Sequence, residues 1–180
     1  MNRKFEIPQI AKGTGGFTLI EIVIVCVLIG IIAAVIIPPL HQGAQSFTAS
    51  ETRGDLTSQA RQASTRIVRE LRNIQKEPNN TPNITTAAAS SITFVDVLDN
   101  TITFSLSAST LQRNSNPLVA QVSSLQFRYF NGTNAELTAL PLSATDRDNV
   151  RRIMMTLTLA EGSLTVSVTE QTFLRELTGY

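Results

Sequence analysis

The chain has 180 residues, of which 42% are hydrophobic, so there is room for one packed domain beyond a single long helix. Its 15 basic and 14 acidic side chains leave a net charge of +1, which argues against a protein that binds nucleic acid by neutralising phosphates. The single cysteine, Cys26, excludes an intramolecular disulfide, so packing alone must hold the domain together.

The first 16 residues form a basic leader before a long apolar run. The leader holds three of the 15 basic and one of the 14 acidic side chains, which leaves 12 and 13 in a nearly neutral remainder. The run from Phe17 to Ile37 has 21 residues and one charge, Glu21, and as a helix it would span roughly 31 Å, one bilayer core. A basic leader keeps the N-terminus in the cytoplasm. We therefore predict a transmembrane helix over residues 17–40, with the C-terminal domain across the membrane.

The carboxylate of Glu21 is unusual in such a helix, because an ionisable group within a membrane costs a few kcal/mol or more. One interpretation is a plain signal-anchor helix that carries an acid near the interface. A secretory signal fits less well, since it would have a shorter apolar core, no internal glutamate and a small-x-small cleavage site.

The residues that open the run, Gly-Phe-Thr-Leu-Ile-Glu over 16–21, resemble the signal of type IV pilins and type II secretion pseudopilins. The resemblance implies that a prepilin peptidase cuts between Gly16 and Phe17 on the cytoplasmic side, and that the new terminal residue, Phe17, is N-methylated. The partners that it implies are this peptidase, other pilin or pseudopilin subunits and an inner-membrane assembly platform. It implies no cofactor.

Two further positions match the same family. Glu21 would be the fifth mature residue, where the family keeps a glutamate, and the resemblance implies that its carboxylate meets the Phe17 amine of a neighbouring subunit during assembly. Pro38 would be the twenty-second, where many members place a helix-breaking proline, so we expect a kink at Pro38 and Pro39. A leader of 16 residues is longer than most major pilins carry, which favours a minor subunit.

Residues 41–77 are predicted to form a second, amphipathic helix. The segment 41–54 is poor in apolar residues and contains two glycines, so the helix either continues there with low local stability or bends behind the prolines. Beyond it, apolar residues recur at spacings of three and four, which predicts one buried face. These residues are Leu56, Ala60, Ala63, Ile67, Leu71 and Ile74. We expect Pro78 to end the helix and Arg66 to pair with Glu70 one turn on.

Residues 78–180 are predicted to form an antiparallel β-sheet domain. The segment 79–91 is rich in Asn, Thr and Pro and is expected to be a loop. Alternating apolar residues then favour five or six strands in hairpin order, with turns at Asp99-Asn100, Asn131-Gly132 and Glu161-Gly162. The predicted fold is therefore α+β: a pilin-like lollipop in which a long N-terminal helix packs on an antiparallel sheet.

The C-terminal sequences RRIMMTLTL and TFLREL resemble the end of the J-type minor pseudopilins and W-type minor pilins. This second resemblance implies a subunit placed at the filament tip or active in initiation. We expect the protein to cross the bacterial inner membrane once, with its C-terminal domain in the periplasm. After assembly it would be part of a pilus or pseudopilus.

Candidate chemistry is sparse, and we expect neither an enzyme nor a metal site. The single histidine, His41, has no carboxylate or cysteine near it in sequence. Asp146 and Asp148 could hold calcium only with further oxygen ligands.

Three function classes therefore remain: a structural filament subunit, a filament-borne module that binds DNA or a surface, and a simple anchored domain with an uncleaved leader. The arginines that a DNA-binding module would use are Arg61, Arg66, Arg69, Arg72, Arg147, Arg151 and Arg152. The absence of net positive charge in the mature chain makes nucleic acid an unlikely partner.

Overall fold

The computed structural model describes residues 16–174, so the leader before Gly16 and the last three residues of TFLREL lie outside the described residues. The chain divides into two compact units, an N-terminal unit that ends at Phe47 and a C-terminal unit that begins at Thr48. One α-helix, α1, runs from Leu19 to Leu71 and contributes to both.

The N-terminal unit is the first half of α1. No described residue from 16 to 47 is buried, although most side chains from Phe17 to Leu40 are large and apolar. By length and composition this half of the helix is able to cross a membrane. Pro38 and Pro39 lie inside the helix, and segment 41–54 is helical as well, so the first of the two predicted alternatives, a continuing helix, is confirmed. The kink stays a prediction.

In the C-terminal unit, the six apolar residues predicted to form one buried face, Leu56 to Ile74, face the core, and we call them the apolar stripe. Every member of the stripe is buried, and Arg66 pairs with Glu70 as expected. The predicted end of the helix at Pro78 is wrong, since α1 ends at Leu71. Ile74 pairs with Asp96 in a β-bridge, and the N–H of Gln75 donates to the carbonyl of Val95. Ile74 is therefore buried with the rest of the apolar stripe although it lies beyond the helix, and it is the β-bridge that places its side chain in the core.

The described residues of the C-terminal unit contain nine strands in two antiparallel sheets. The first sheet follows chain order and contains β1 (Ile84–Ala87), β2 (Ser91–Val95), β3 (Thr101–Ser107), β4 (Thr110–Arg113) and β5 (Asn116–Val119). The second has the order β7-β6-β8-β9 and contains β6 (Val122–Phe130), β7 (Glu136–Leu137), β8 (Arg152–Glu161) and β9 (Leu164–Phe173). A short helix, α2 (Ala144–Asp148), precedes β8.

The α+β fold of a long helix on antiparallel sheets is therefore confirmed, but the number of strands and sheets is not. The predicted loop 79–91 contains β1, and the sequence does not predict β4, β5 or β7. These strands have two to four residues, too few to show alternation. The turn between β4 and β5 uses Asn114 and Ser115 at φ of 49° and 67°, so it lacks the glycine that usually marks a tight hairpin.

The core lies where the two sheets and the second half of α1 bury their apolar side chains. The predicted alternation in β6 and β8 is confirmed, because the apolar members of both patterns are all buried. Phe94 and Phe104 contribute from the first sheet, with their ring centroids 6.4 Å apart. The buried residues are Leu125, Phe127 and Tyr129 of β6 and Ile153, Met155, Leu157 and Leu159 of β8.

Candidate processing and assembly site

The start of α1 is fixed by Thr18. The carbonyl of Thr18 accepts the backbone N–H groups of Glu21 and Ile22 at 3.1 and 3.2 Å, and its hydroxyl accepts the Glu21 N–H at 3.4 Å. Thr18 therefore acts as the N-cap, and it satisfies a donor that the first turn would otherwise leave open. The sequence signal for this role is Thr-x-x-Glu before an apolar run, the pattern of a capping box, and it is absent from the predictions above.

The Gly16–Phe17 peptide bond lies outside the helix. Gly16 and Phe17 are exposed and have no regular secondary structure, and α1 begins two residues after Phe17. A Cβ atom built on Gly16 would meet no atom within 4 Å. The bond predicted to be cut is therefore open to a peptidase, and a side chain at Gly16 has no steric reason to disturb the fold of the described chain.

Phe17 and Glu21 lie on one face at the start of α1. They line a shallow groove of about 190 Å³ together with Ile22, Val25 and Cys26. Phe17 is 78% exposed, and Glu21 lies in the first turn, where the partial positive charge of the helix N-terminus favours a carboxylate. The structure thus brings the residue that would carry the new amine close to the glutamate predicted to pair with such an amine.

The two prolines lie at the other end of the apolar run. Pro38 lies 17 positions after Glu21, about 26 Å along an ideal helix. Neither proline can donate a backbone hydrogen bond, so the carbonyls of Ala34 and Val35 lose their usual partners one turn earlier. The structure keeps the helix through this point and does not bring the prolines near Phe17 or Glu21.

Comparison with known protein families matches residues 12–37 to the prokaryotic N-terminal methylation motif. The chain carries a methylation motif. It covers Gly16, Phe17, Glu21 and all of the apolar run, and it supports the pilin and pseudopilin family for this part of the chain. No curated protein matches the chain.

The remaining predicted site residues lie far from the methylation motif in sequence. His41 is exposed and contacts Gln45, with 3.0 Å between the two Nε2 atoms. Asp146 accepts a hydrogen bond from the hydroxyl of Ser143, the N-cap of α2, at 2.8 Å. Among the residues that the structure describes, no three His, Cys, Asp or Glu side chains are grouped so that they could hold a metal ion.

Several of the arginines considered for DNA binding already contact other groups of the chain. Arg147 and Arg151 donate to backbone carbonyls of neighbouring residues, and Arg152 donates to Gln171 at 2.9 Å and stacks 3.8 Å from the ring centre of Phe130. On α1, Arg66 and Arg69 line a cleft of about 560 Å³ beside residues 118–120. Arg66 is already paired with Glu70, so part of the positive charge beside this cleft is neutralised within the chain.

Proposed function

We propose that this protein is a structural subunit of a type IV pilus or of a type II secretion pseudopilus. In this proposal the prepilin peptidase removes residues 1–16, Phe17 is N-methylated, and the helix that follows packs into the filament. The observation that carries the proposal is the methylation motif at an exposed Gly16–Phe17 bond, directly before the apolar first half of α1, in which no residue is buried in the described chain. Such a helix needs lipid or other helices to cover it.

Cleavage can be tested with Gly16→Val. A side chain at this position should block the peptidase while leaving the protein folded and in the membrane, since the site has open space around it. The matched control is Gly30→Val, because an added Cβ on Gly30 would also meet no atom within 4 Å, but this residue lies within the helix, away from the bond. Intact-mass analysis should show loss of residues 1–16 and a methyl group on the wild type and the control. Full-length wild type, recovered with the peptidase present, would contradict the proposal.

Assembly can be tested with Glu21→Ala. In a packed bundle the Phe17 amine of one subunit and the Glu21 carboxylate of another both lose water, so each needs the other. Removing one leaves the second charge buried and unpaired, at a cost of about 3–5 kcal/mol. Glu21→Ala should therefore be cleaved normally but be absent from sheared filaments and from complexes with other subunits. Glu51→Ala, the same change at an exposed position on the same helix, is the control and should assemble. Wild-type levels of Glu21→Ala in filaments would refute the pairing.

We further propose that the protein is a minor subunit, placed at the tip or needed for initiation, with its C-terminal domain in the periplasm. The long leader and the likeness of the C-terminal strands to J-type pseudopilins and W-type pilins support this role. Quantitative mass spectrometry of sheared filaments should find it far below the main subunit, and deletion of its gene should lower the number of filaments. Equal abundance with the main subunit would show a major subunit instead.

A further inference from the structure

The second sheet ends in an unusually open edge. The two sheets have four edge strands, and three of them are short or interrupted. Strand β7 has two residues, β1 has four with a register shift against β2, and β5 has four, includes Pro117 and shifts register against β4. Short strands, bulges and proline are the usual means by which proteins prevent pairing at an edge.

Strand β9 has none of these protections. Its ten residues pair with β8 without a break from Arg152↔Phe173 to Glu161↔Leu164. It contains one charged residue, Glu170, and no lysine or proline. Among residues 16–174 no strand pairs with its outer side, so the described chain supplies no strand partner for the row of backbone N–H and C=O groups along this edge.

The side chains of β9 also indicate that the sheet is incomplete at this edge. Leu164, Val166 and Val168 lie on the core face, yet they are only partly buried. Their neighbours on β8, Leu157 and Leu159, are completely buried on the same face. A further strand beside β9 would cover the exposed flanks of its apolar residues as well as pair its backbone groups.

We propose that this edge pairs with β9 of a second copy of the chain, in antiparallel orientation, so that the two second sheets form one continuous sheet. The sequence of β9 is complementary to itself. With Ser167 opposite Ser167, Val166 lies opposite Val168 and Thr165 opposite Thr169, so β-branched residues face each other on both faces of the sheet. Glu170 then lies opposite Leu164, and no acidic side chain faces another.

The pairing can be tested by cross-linking the full-length chain, purified alone in lipid nanodiscs, with Cys26→Ser as the background. Opposed Cβ atoms across an antiparallel pair are about 4.5–5.5 Å apart, so a short bismaleimide should join two copies of Ser167→Cys. The control is Ser124→Cys, which lies in the same cross-strand row through Thr158 but on β6, which β8 separates from β9. We expect a dimer from the first variant and only monomer from the second.

A second pair of variants tests the interface without a cross-linker. Thr165→Lys with Thr169→Lys places like charges opposite each other in the proposed dimer, whereas Ser124→Lys with Gln126→Lys adds the same charge to the same face of β6. The first pair should lower the association constant of the dimer about tenfold or more, since each like-charged pair disfavours a cross-strand contact, and the second should not. Thermal unfolding must show that both remain folded.

Three results would overturn the proposal: equal cross-linking at Ser167→Cys and Ser124→Cys, a dimer that survives the lysines on β9, or cross-linking of β9 only to a different subunit in co-expressing cells. The purified-chain measurements need neither the peptidase nor a filament, so their outcome does not depend on the proposed function.

Discussion

A half-buried ion-pair cluster joins α1 to the first sheet, and its removal should destabilise the C-terminal unit. The Nε atom of Arg113, at the end of β4, lies 3.0 and 2.7 Å from the two carboxylate oxygens of Glu70. The Nε of Arg66 lies 3.2 Å from one of them. The side chain of Glu70 is 14% exposed, that of Arg113 29% and that of Arg66 45%, so the two pairs differ in how much water surrounds them.

This difference sets the expected magnitudes. A hydrogen bond to a charged group is worth about 1.5–3 kcal/mol, whereas an exposed pair one helical turn apart is worth about 0.3–0.5 kcal/mol. Glu70→Ala should lower the free energy of unfolding by about 2 kcal/mol, because Arg113 can regain only part of its hydration. Arg113→Ala should lower the free energy of unfolding by nearly as much, since it leaves the buried carboxylate of Glu70 with Arg66 as its remaining ion-pair partner. Arg66→Ala should cost only about 0.4 kcal/mol.

Urea unfolding of a fragment that begins at Ser46 would measure these values, since every buried residue of the described chain lies beyond that point. The double variant of Glu70 and Arg113 closes a mutant cycle that isolates their coupling energy. Glu51→Ala, at an exposed position of α1, controls for the loss of a helical glutamate. Equal costs for Arg66→Ala and Arg113→Ala, or a negligible cost for Glu70→Ala, would show that burial does not strengthen this contact.

Two further changes should alter the stability of the same fragment. Ser64→Ala should raise the free energy of unfolding by about 1 kcal/mol, because the buried Ser64 hydroxyl has no hydrogen-bond partner in the described chain. The control Ser58→Ala, at an exposed position, should change the free energy of unfolding little. A loss of stability in Ser64→Ala would contradict the prediction. The hydrogen bond from the backbone N–H of Asn100 is the main reason why the pKa of Asp96 lies below its usual value. The ionised Asp96 carboxylate therefore stabilises the fold at pH values above the unfolded pKa near 3.9, and this stabilisation is lost as the pH falls through the folded pKa. Asp96→Asn should therefore lose less stability than the wild type between pH 5 and pH 2, and identical pH profiles would refute that role.

The parts of the fold that the sequence predicts well are those with many repeats of one pattern. The stripe from Leu56 to Leu71 repeats over four helical turns, and the alternation in β8 continues for ten residues. Patterns of this length seldom arise by chance, so they predict the helix and the strand well. Strands such as β4 and β5 have four residues each, too few to show a period, although each pairs with the next strand along the chain. Their existence depends on pairing, which local periodicity does not report.

The sequence says more about the candidate processing and assembly site than about the contacts of the domain, for a physical reason. In the proposed function, Gly16, Phe17 and Glu21 act through a covalent sequence that a peptidase reads and through one helical turn, so short spacings carry the information. The contact of Glu70 with Arg113 joins residues 43 positions apart, and the sequence predicts only the Arg66 partner that lies one turn away. Contacts of that kind follow from the topology of the sheet and become visible only with the fold.

The chain thus carries two sets of apolar side chains that are shielded from water in different ways. From Leu56 onward the fold buries its own apolar side chains, and only Val97, Leu98, Leu140 and Phe173 remain large, apolar and exposed among the described residues. From Phe17 to Leu40 almost every side chain is apolar and exposed, so this surface is stable only in lipid or against other helices. Because the domain does not need the first surface for its core, the proposed cleavage at Gly16 and the proposed transfer of the helix from lipid to a filament would not require the domain to unfold. Glu21 is the one charge on that surface, so it is the residue at which a change from lipid to protein surroundings carries the largest electrostatic consequence.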